Sequence, residues 1–327
     1  MATKHKNIVI IGGGTGNFTV LSGLKKYPVN LTAIVSMVDD GGSTGRLRDE
    51  LGVLPPGDVR QCLVSLSASD SLMRELMNYR FESGKLKGHS FGNLFLSALE
   101  KTTGSFDRAV ERASDILRTR GRVVPATLDK VTLIAKIGRR TVRGEQNIRE
   151  ARMNGFTPRL SLSPRARANP KALASIRAAD AIVIAPGSFY TSLVPDLLVR
   201  GIPEAIAKSR AKKIFVCNLM TYAEHTKDFT VADYVEIIEK YLKSPVDVVI
   251  YNDKLPNAGL LKRYARKGDK PILWNKLPHR KTIGADLVSR DFPALQKSDR
   301  LRAQRTYIRH NPARLAALIL RSMKARL

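Results

Sequence analysis

Cysteine is scarce in this sequence. Its 327 residues contain two cysteines, Cys62 and Cys217, each within an apolar stretch and neither in a CxxC pair. This excludes a disulfide framework and a thiolate metal site. Isolated cysteines in apolar surroundings behave as small buried hydrophobic residues. We predict that both side chains are buried and that the protein works in a reducing compartment, the cytoplasm.

Long apolar runs are also absent. No segment reaches the roughly 18 consecutive apolar residues that a membrane-spanning helix needs. The apolar run after Lys6 is too short for the hydrophobic region of a signal peptide, and it ends on glycines. The sequence therefore predicts no membrane span, which agrees with a cytoplasmic location.

Acidic and aromatic residues are few. There are 29 Asp and Glu against 56 Lys and Arg, which gives a formal net charge of +27, and 6% of the residues are aromatic. Such a charge attracts nucleic acids, anionic membrane surfaces and anionic small molecules alike. Residues 254–327 alone contain 19 basic and 4 acidic residues. Because this tail has no interleaved aromatics and no nucleic-acid-binding signature is present, we predict no specific nucleic-acid partner. An association with anionic surfaces would depend on the tail alone.

The sequence does contain a series of short apolar runs, each of which ends on a polar or glycine-rich loop. Such runs begin near residues 7, 31, 181, 213 and 246, with helical patterns between them. Strands of a parallel sheet are buried on both faces and therefore form continuous apolar runs. The pattern predicts a three-layer α/β/α fold whose middle layer is a Rossmann-like, doubly wound and mainly parallel sheet.

Two regions interrupt this pattern. Residues 59–120 carry apolar side chains three or four positions apart, which predicts a mainly helical insertion. Residues 123–169 form short alternating stretches punctuated by glycine and proline, which predicts a β-rich extension, either a small subdomain or an extension of the sheet. Asn311 and Pro312 are typical of the N-cap and first residue of a closing helix. We expect residues 1–327 to form a single domain.

The first loop expected at the carboxyl edge of the sheet is the glycine-rich segment 12–16. Glycines let backbone amides approach a phosphate and let the chain turn sharply into a helix. The segment is not a complete dinucleotide fingerprint, because Asn17 occupies the position of its third glycine. A phosphate-binding turn and a tight turn without a ligand are both compatible with it.

The second loop joins two carboxylates to a glycine-rich segment. Asp39 and Asp40 end the second predicted strand, where an acidic residue of a Rossmann fold meets ribose hydroxyls. Residues 41–45 can form a nest of backbone amides, and Arg46 and Arg48 supply guanidinium groups that bind phosphate bidentately. This combination favours a diphosphate ligand. The alternative is a solvated turn in which an aspartate caps a helix.

A third loop contains Asp58 and Arg60 after two prolines that stiffen a turn. Asp58 is suited to cap the helix that follows. Together with Asp40, it is also suited to hold Mg²⁺ through carboxylate oxygens and waters. These two aspartates are the candidate metal ligands, and the sequence is compatible with either role.

Three later loops carry further polar residues. Asn93 offers both a donor and an acceptor to a base, phosphate or carboxylate, and the nearby His89 is either an acid or base or a structural residue. Gly187 and Ser188 lie at a predicted helix entrance that suits phosphate or sugar binding, but the segment lacks the GxSxG pattern of serine hydrolases. Residues 218–221 end the next strand in the same manner, and helix capping explains them equally well.

Together these segments resemble the gluconeogenesis factor (YvcK) family. The resemblance rests, in order, on GGGTG at 12, DDGGSTGRLR at 39, PPGDVRQC at 55, GHSFGNL at 88, APGSFYTS at 185, NLMT at 218 and IRHNP at 308. That family is similar to the 2-phospho-L-lactate transferases (CofD), which share its fold and move a phospholactyl-type group from a nucleotide carrier. The resemblance implies a UDP-sugar ligand such as UDP-N-acetylglucosamine, or another dinucleotide-like diphosphate. It also implies a role in cell shape and envelope synthesis during gluconeogenic growth.

By the same resemblance, nucleotide or phosphate binding is expected of fifteen residues. They are Gly13, Gly14, Thr15, Gly16, Asp40, Gly41, Gly42, Ser43, Thr44, Arg46, Asn93, Gly187 and Ser188, with Asp58 and Arg60 as secondary candidates. Residues 222–225 depart from the family pattern, so the resemblance assigns no ligand contact there. It assigns no catalytic residue either.

Two functions follow from this reasoning. The first is a non-catalytic protein that binds a nucleotide sugar and reports its level. The second is a Mg²⁺-dependent transferase in which Arg46, Arg48 and a metal ion stabilise the charge of the transition state. Both have a small nucleotide-linked molecule as partner, and a homodimer is an assembly that the sequence allows.

Overall fold

A computed structural model describes residues 5–278, 280–290 and 308–324. Ten strands lie in these ranges: β1 (Lys6–Gly12), β2 (Val29–Val35), β3 (Arg122–Pro125), β4 (Thr132–Ile137), β5 (Arg140–Arg143), β6 (Arg159–Ser163), β7 (Ala181–Ile184), β8 (Lys212–Val216), β9 (Val248–Asn252) and β10 (Lys281–Ala285). The chain between and after them forms α1 (Gly14–Leu24), α2 (Gly42–Leu51), α3 (Gly57–Leu66), α4 (Ser71–Asn78), α5 (Phe91–Thr103), α6 (Phe106–Ile116), α7 (Glu145–Glu150), α8 (Pro170–Arg177), α9 (Val194–Leu197), α10 (Ile202–Lys208), α11 (Val231–Leu242), α12 (Ala258–Ala265) and α13 (Pro312–Lys324). A π-helical turn, Phe189–Leu193, precedes α9.

The main sheet has seven strands in the order β10-β9-β8-β7-β1-β2-β3, and every pairing in it is parallel. The chain builds outward from β1 in one direction through β2 and β3, and then outward in the other direction from β7. The strand order therefore reverses between β1 and β7, which pair directly from Ile8 with Ala181 to Ile11 with Ile184. The predicted doubly wound parallel sheet is confirmed.

The sheet separates two hydrophobic cores. Successive residues of β1 point to opposite faces, so that Ile8 and Ile10 join one core while Val9 and Ile11 join the other. The first core contains side chains of α1, α3, α5, α6 and α13, and the second contains side chains of α8, α10 and α11. This arrangement confirms the predicted three layers.

A three-stranded antiparallel sheet, in the order β5-β4-β6, forms the β-rich extension. Leu133, Ala135 and Ile137 alternate with more exposed residues along β4 and pack into the second core together with Leu160 and Leu162 of β6. One face of the extension therefore packs against the second hydrophobic core. The short helix α7 follows β5 and leads back toward the carboxyl edge of the main sheet.

Two boundaries differ from the sequence prediction. Residues from 123 onward were assigned to the extension, but β3 is an edge strand of the main sheet, paired to β2. The predicted strands end with the run near residue 246, yet β10, in the basic segment after residue 254, pairs in parallel with β9. The closing helix α13 begins as predicted, with Asn311 Oδ1 accepting a hydrogen bond from the Arg314 amide at 3.0 Å.

Candidate functional site

The strand-order reversal between β1 and β7 opens a cleft at the carboxyl edge of the sheet. Open α/β sheets bind their ligands at such a point, because the helices that follow the two central strands diverge to opposite faces. The cleft has a volume of about 670 Å³, within the ordinary range of small-molecule sites. The glycine-rich loops after β1, β2 and β7 all line it.

The loop after β1 turns directly into α1. Asn17, in place of a third glycine, is buried and donates from its side chain to the Gly12 carbonyl at 2.8 Å and to the Ile34 carbonyl at 3.3 Å. It therefore ties this turn to β2. Gly16 lies so close to the loop after β7 that a Cβ there would overlap the Pro186 carbonyl. The turns of the two central strands are thus in backbone contact.

The loop after β2 is fixed through Ser43, near the start of α2. Its Oγ accepts hydrogen bonds from the Asn93 side chain at 3.3 Å and the Ser90 amide at 3.4 Å, and it lies 3.2 Å from His89 Nδ1. Because the first two groups are donors, the Ser43 hydroxyl proton goes to Nδ1, which acts as an acceptor. Of the two roles considered for the buried His89, the structure supports the structural one.

The loop before α3 joins the same network. Arg60 is buried and donates from Nε to Asn93 Oδ1 at 2.9 Å and from Nη1 to Asn78 Oδ1 at 2.7 Å. Thr15 donates to Gln61 Oε1 at 3.2 Å, which connects α1 to α3. The predicted capping role of Asp58 is wrong, because Pro56 occupies the N-cap and Asp58 lies inside the first helical turn.

The loop after β7 is held by Asn218, which lies just after β8. Its side chain accepts from the Gly187 amide at 2.9 Å and donates to the Gly187 carbonyl at 2.8 Å. Ser188 and Thr191 share a hydrogen bond of 2.7 Å between their hydroxyls. Asn218 thus fixes the backbone of a cleft loop, which is a different role from the helix capping considered for its segment.

Thirteen of the fifteen predicted binding residues line the cleft. They are Gly13, Gly14, Thr15, Gly16, Gly41, Gly42, Ser43, Thr44, Asp58, Arg60, Asn93, Gly187 and Ser188. We call residues 13–16, 41–44 and 187–188 the loop wall. Its polar character comes largely from backbone amides at the starts of helices, which suits a phosphate.

Asp40 and Arg46 do not line the cleft. Both carboxylate oxygens of Asp40 accept backbone amides of α7, from Glu145 at 2.9 Å and from Gln146 at 2.8 Å. The predicted alternative, an aspartate that caps a helix, therefore describes Asp40, although the helix is 105 residues away. Arg46 donates to the Lys87 carbonyl at 3.2 Å. Asp39, next to Asp40, is the carboxylate that faces the cleft.

Several lining residues were not predicted from the sequence. Glu145 and Arg149, which we call the extension wall, come from α7, and a third wall comes from the loop after β8 and from the segments around α12 and α13. This C-terminal wall consists of Tyr222, His225, Arg263, Tyr264, Lys267, Arg309 and His310. The IRHNP motif was the only signal in the sequence that pointed to any of it.

Three buried titratable groups, Glu145, His225 and His310, lie in these two walls. Burial raises the pKa of Glu145 to about 7, opposed by the nearby Arg149 and assisted by Asp39. Burial lowers the pKa of His225 to about 4, and its Nε2 donates to the Ile148 carbonyl at 2.9 Å. Burial likewise lowers the pKa of His310 to about 4, with Nε2 donating to the Cys217 carbonyl at 3.1 Å. Both histidines are therefore neutral structural donors near pH 7.

Within residues 5–278, 280–290 and 308–324, no three His, Cys, Asp or Glu side chains are grouped as a metal site. No helix in the same ranges is long and apolar enough to cross a membrane. Cys62 and Cys217 are both buried and unpaired, as predicted.

Known proteins share this architecture over nearly the whole chain. A family profile described as 2-phospho-L-lactate transferase CofD matches residues 8–292. The gluconeogenesis factor of Bacillus subtilis is 38% identical over 328 residues, which cover 99% of this chain and 100% of that protein. The chain belongs to the gluconeogenesis factor group of the CofD family.

Other members of this CofD family are similarly close. The gluconeogenesis factor of Halalkalibacterium halodurans is 39% identical over 97% of this chain and 96% of its own, and a Nostoc sp. protein is 44% identical over 97% of this chain and 69% of its own. A crystal structure of a Bacillus halodurans protein superposes with a TM-score of 0.88 at 38% identity, covering 97% of this chain and 100% of that one. The CofD-like fold and the predicted family are therefore confirmed.

Proposed function

We propose that this protein is a regulatory nucleotide-sugar-binding protein whose ligand is a UDP-sugar, with UDP-N-acetylglucosamine as the first candidate. In this proposal it acts in the cytoplasm, where it reports the level of the ligand and supports cell shape and envelope synthesis during gluconeogenic growth. The naming of its relatives as gluconeogenesis factors supports the metabolic part of the proposal.

One observation carries the proposal. Three glycine-bearing loops, after β1, β2 and β7, meet in a single cleft where the strand order reverses. Two of them lead directly into helices α1 and α2, whose first amides have no partner within the helix. Amides at helix starts attract anions through the helix dipole, and two adjacent starts suit the two phosphates of a nucleoside diphosphate.

The dimensions and chemistry of the remaining cleft support a nucleotide-sized ligand. A cleft of about 670 Å³ exceeds the needs of an isolated phosphate. Tyr222 and Tyr264 supply aromatic surface for a base. The side chains of Ser43 and Arg60 are already engaged in the protein network, so their part is to shape the loops.

A second candidate is a Mg²⁺-dependent transferase, favoured by the match to the CofD profile. The pair Asp40 and Asp58 does not fit a shared ion, because both oxygens of Asp40 already accept backbone amides. Asp39 and Asp58 both line the cleft beside the glycine loops, and they are the residues that would hold the ion. Its chemistry would be to neutralise phosphate charge during group transfer.

Titration calorimetry separates the two candidates. We expect UDP-N-acetylglucosamine to bind wild-type protein without added metal, and Gly14→Ala to weaken binding because the new Cβ would lie 2.6 Å from Asp58 Oδ1. Ser161→Ala, on the exposed face of β6, is the matched control. Binding of GDP only with Mg²⁺, and no heat from UDP-N-acetylglucosamine, would reverse the ranking in favour of the transferase.

A further inference from the structure

Arg149 is a cation of the cleft that belongs to none of the glycine loops. It lies on α7, lines the cleft, and has 27% of its side chain exposed. Burial lowers its pKa, but Glu145, Asp39 and Asp58 outweigh burial and raise it. The guanidinium group therefore lies within electrostatic reach of the two carboxylates, Asp39 and Asp58, that border the loop wall.

The buried carboxylate of Glu145 holds one edge of the Arg149 guanidinium. Nε of Arg149 donates to Glu145 Oε1 at 3.0 Å, and Nη2 contacts the same oxygen. The Glu145 side chain is only 2% exposed. The third nitrogen, Nη1, makes no hydrogen bond to any residue in the described parts of the chain. One edge of the guanidinium is thus fixed, and the other is available to a ligand oxygen.

The position of α7 is in turn set by Asp40. This residue precedes the amides of Gly41 to Thr44 and accepts the first two amides of α7 with its own carboxylate. Gly144, just before the helix, has φ +93, and a Cβ there would lie 2.8 Å from Asp40 Oδ2. The contact therefore requires glycine at 144, and it couples the loop after β2 to the extension.

The charges around the cleft indicate a role for the Arg149 guanidinium. Asp39 and Asp58 beside the glycine loops repel an approaching diphosphate, and the hydrogen-bonded guanidinium of Arg60 is already committed to Asn93 and Asn78. A guanidinium near those carboxylates offsets their charge and can bind phosphate oxygens through two parallel N–H groups. Arg149 meets both requirements.

We propose that Arg149 directly contacts the anionic group of the cleft ligand, and that Glu145 and Asp40 are positioning residues that hold it there. The inference rests on the proposed function in that the ligand carries a diphosphate. It adds that the antiparallel extension is part of the binding site, although no predicted binding residue lies in it. Ligand binding and docking of α7 are then coupled.

Calorimetry with inorganic pyrophosphate and with UDP-N-acetylglucosamine tests the contact. We expect Arg149→Ala to weaken the binding of both about ten- to hundredfold, the usual effect of losing a hydrogen bond to a charged group. Arg149→Lys should recover part of the loss, because it keeps the charge without the planar fork. Arg143→Ala is the matched control: an exposed arginine of the same extension that does not line the cleft.

A double-mutant cycle tests the positioning role. We expect Asp40→Asn to weaken pyrophosphate binding severalfold, and much less in the Arg149→Ala background, because a residue that acts through Arg149 has no effect once Arg149 is gone. Thermal unfolding of each variant checks that it is folded. Equal weakening in both backgrounds would overturn the positioning role.

The outcomes separate this inference from the proposed function. Wild-type affinity of Arg149→Ala for both probes would overturn the inference and leave the nucleotide-sugar proposal intact. If pyrophosphate binds and UDP-N-acetylglucosamine does not, the nucleotide assignment fails while the pyrophosphate series still decides on Arg149. If the wild-type protein binds neither probe, both are overturned.

Discussion

The loop wall and the extension wall of the cleft are held in place by different means. The loop wall presents backbone amides, and neutral hydrogen bonds among Ser43, Asn93 and Arg60 fix its shape. The extension wall presents a charged side chain, and a buried ion pair plus one distant aspartate fix its position. The second contains a titrating group, Glu145. The comparison shows how one cleft can combine backbone amides in a fixed arrangement with a cation that is held by a titrating carboxyl group.

The largest expected loss of stability comes from a substitution that disturbs the backbone of the loop wall. In Gly16→Ala, the added Cβ meets the Pro186 carbonyl, and neither partner is a flexible side chain. We expect a loss of about 3 kcal/mol or more of unfolding free energy, measured by urea denaturation. Gly187→Ala is the control, since its nearest neighbour would be an ordinary 3.8 Å away. Equal stability of the two variants would show that the turns after β1 and β7 do not touch.

The second largest effect should be a loss of protein stability at acid pH that arises from the C-terminal wall. The folded-state pKa of His310 is about 4 and its unfolded value 6.5, so the unfolded chain binds the proton first as pH falls. The stabilisation is complete above pH 6.5 and is lost as pH falls toward 4, by up to about 3 kcal/mol. Urea denaturation of wild-type protein and His310→Asn at pH 7, 6, 5 and 4 checks this. Parallel curves would contradict the buried neutral imidazole.

The contribution of the extension wall to protein stability should have the opposite pH dependence and decrease as pH rises. The folded pKa of Glu145, about 7, is above its ordinary value of 4.5, so the folded state retains the proton longer as pH rises. Its contribution is complete below pH 4.5 and is lost as pH rises through 7. We expect wild-type stability to fall relative to Glu145→Gln by about 2 kcal/mol across this interval. A difference that stays constant between pH 4.5 and 8 would refute the raised pKa.

The smallest effect should come from a single side chain of the loop wall. Ser43→Ala removes the hydroxyl that accepts from Asn93 and donates to His89. Because these partners keep other hydrogen bonds, we expect a loss of about 1 kcal/mol. Urea denaturation of wild-type protein and Ser43→Ala measures this loss. Equal stability of the two proteins would contradict a structural role for the Ser43 hydrogen bonds.

The central strands were predictable because of where they lie. β1, β2, β7, β8 and β9 are largely buried on both faces, and the resulting apolar runs are visible in the sequence. β10 is a partly exposed edge strand with a Lys and a Gly, so its apolar signal is weak. β3 has four residues and adjoins the alternating segments of the extension, so the sequence pattern did not separate it from them.

The glycine-rich loops were the part of the site that could be predicted from the sequence. These loops, at 13–16, 41–44 and 187–188, all line the cleft. Two adjacent aspartates, Asp39 and Asp40, cannot be told apart by composition, and only the fold shows that one faces the cleft and the other binds α7. Arg149 lies more than 100 residues from that loop in the sequence. Its place in the cleft arises from the docking of the extension, which no local pattern records.

The contact between α13 and α1 determines when a newly synthesised chain can complete the cleft. A Cβ at Gly23 of α1 would overlap the Pro312 carbonyl of α13, so α13 packs directly on the helix that carries the first glycine turn. His310, just before α13, also lines the cleft. A growing polypeptide therefore lacks both the brace on α1 and one side of the pocket until synthesis has passed residue 324.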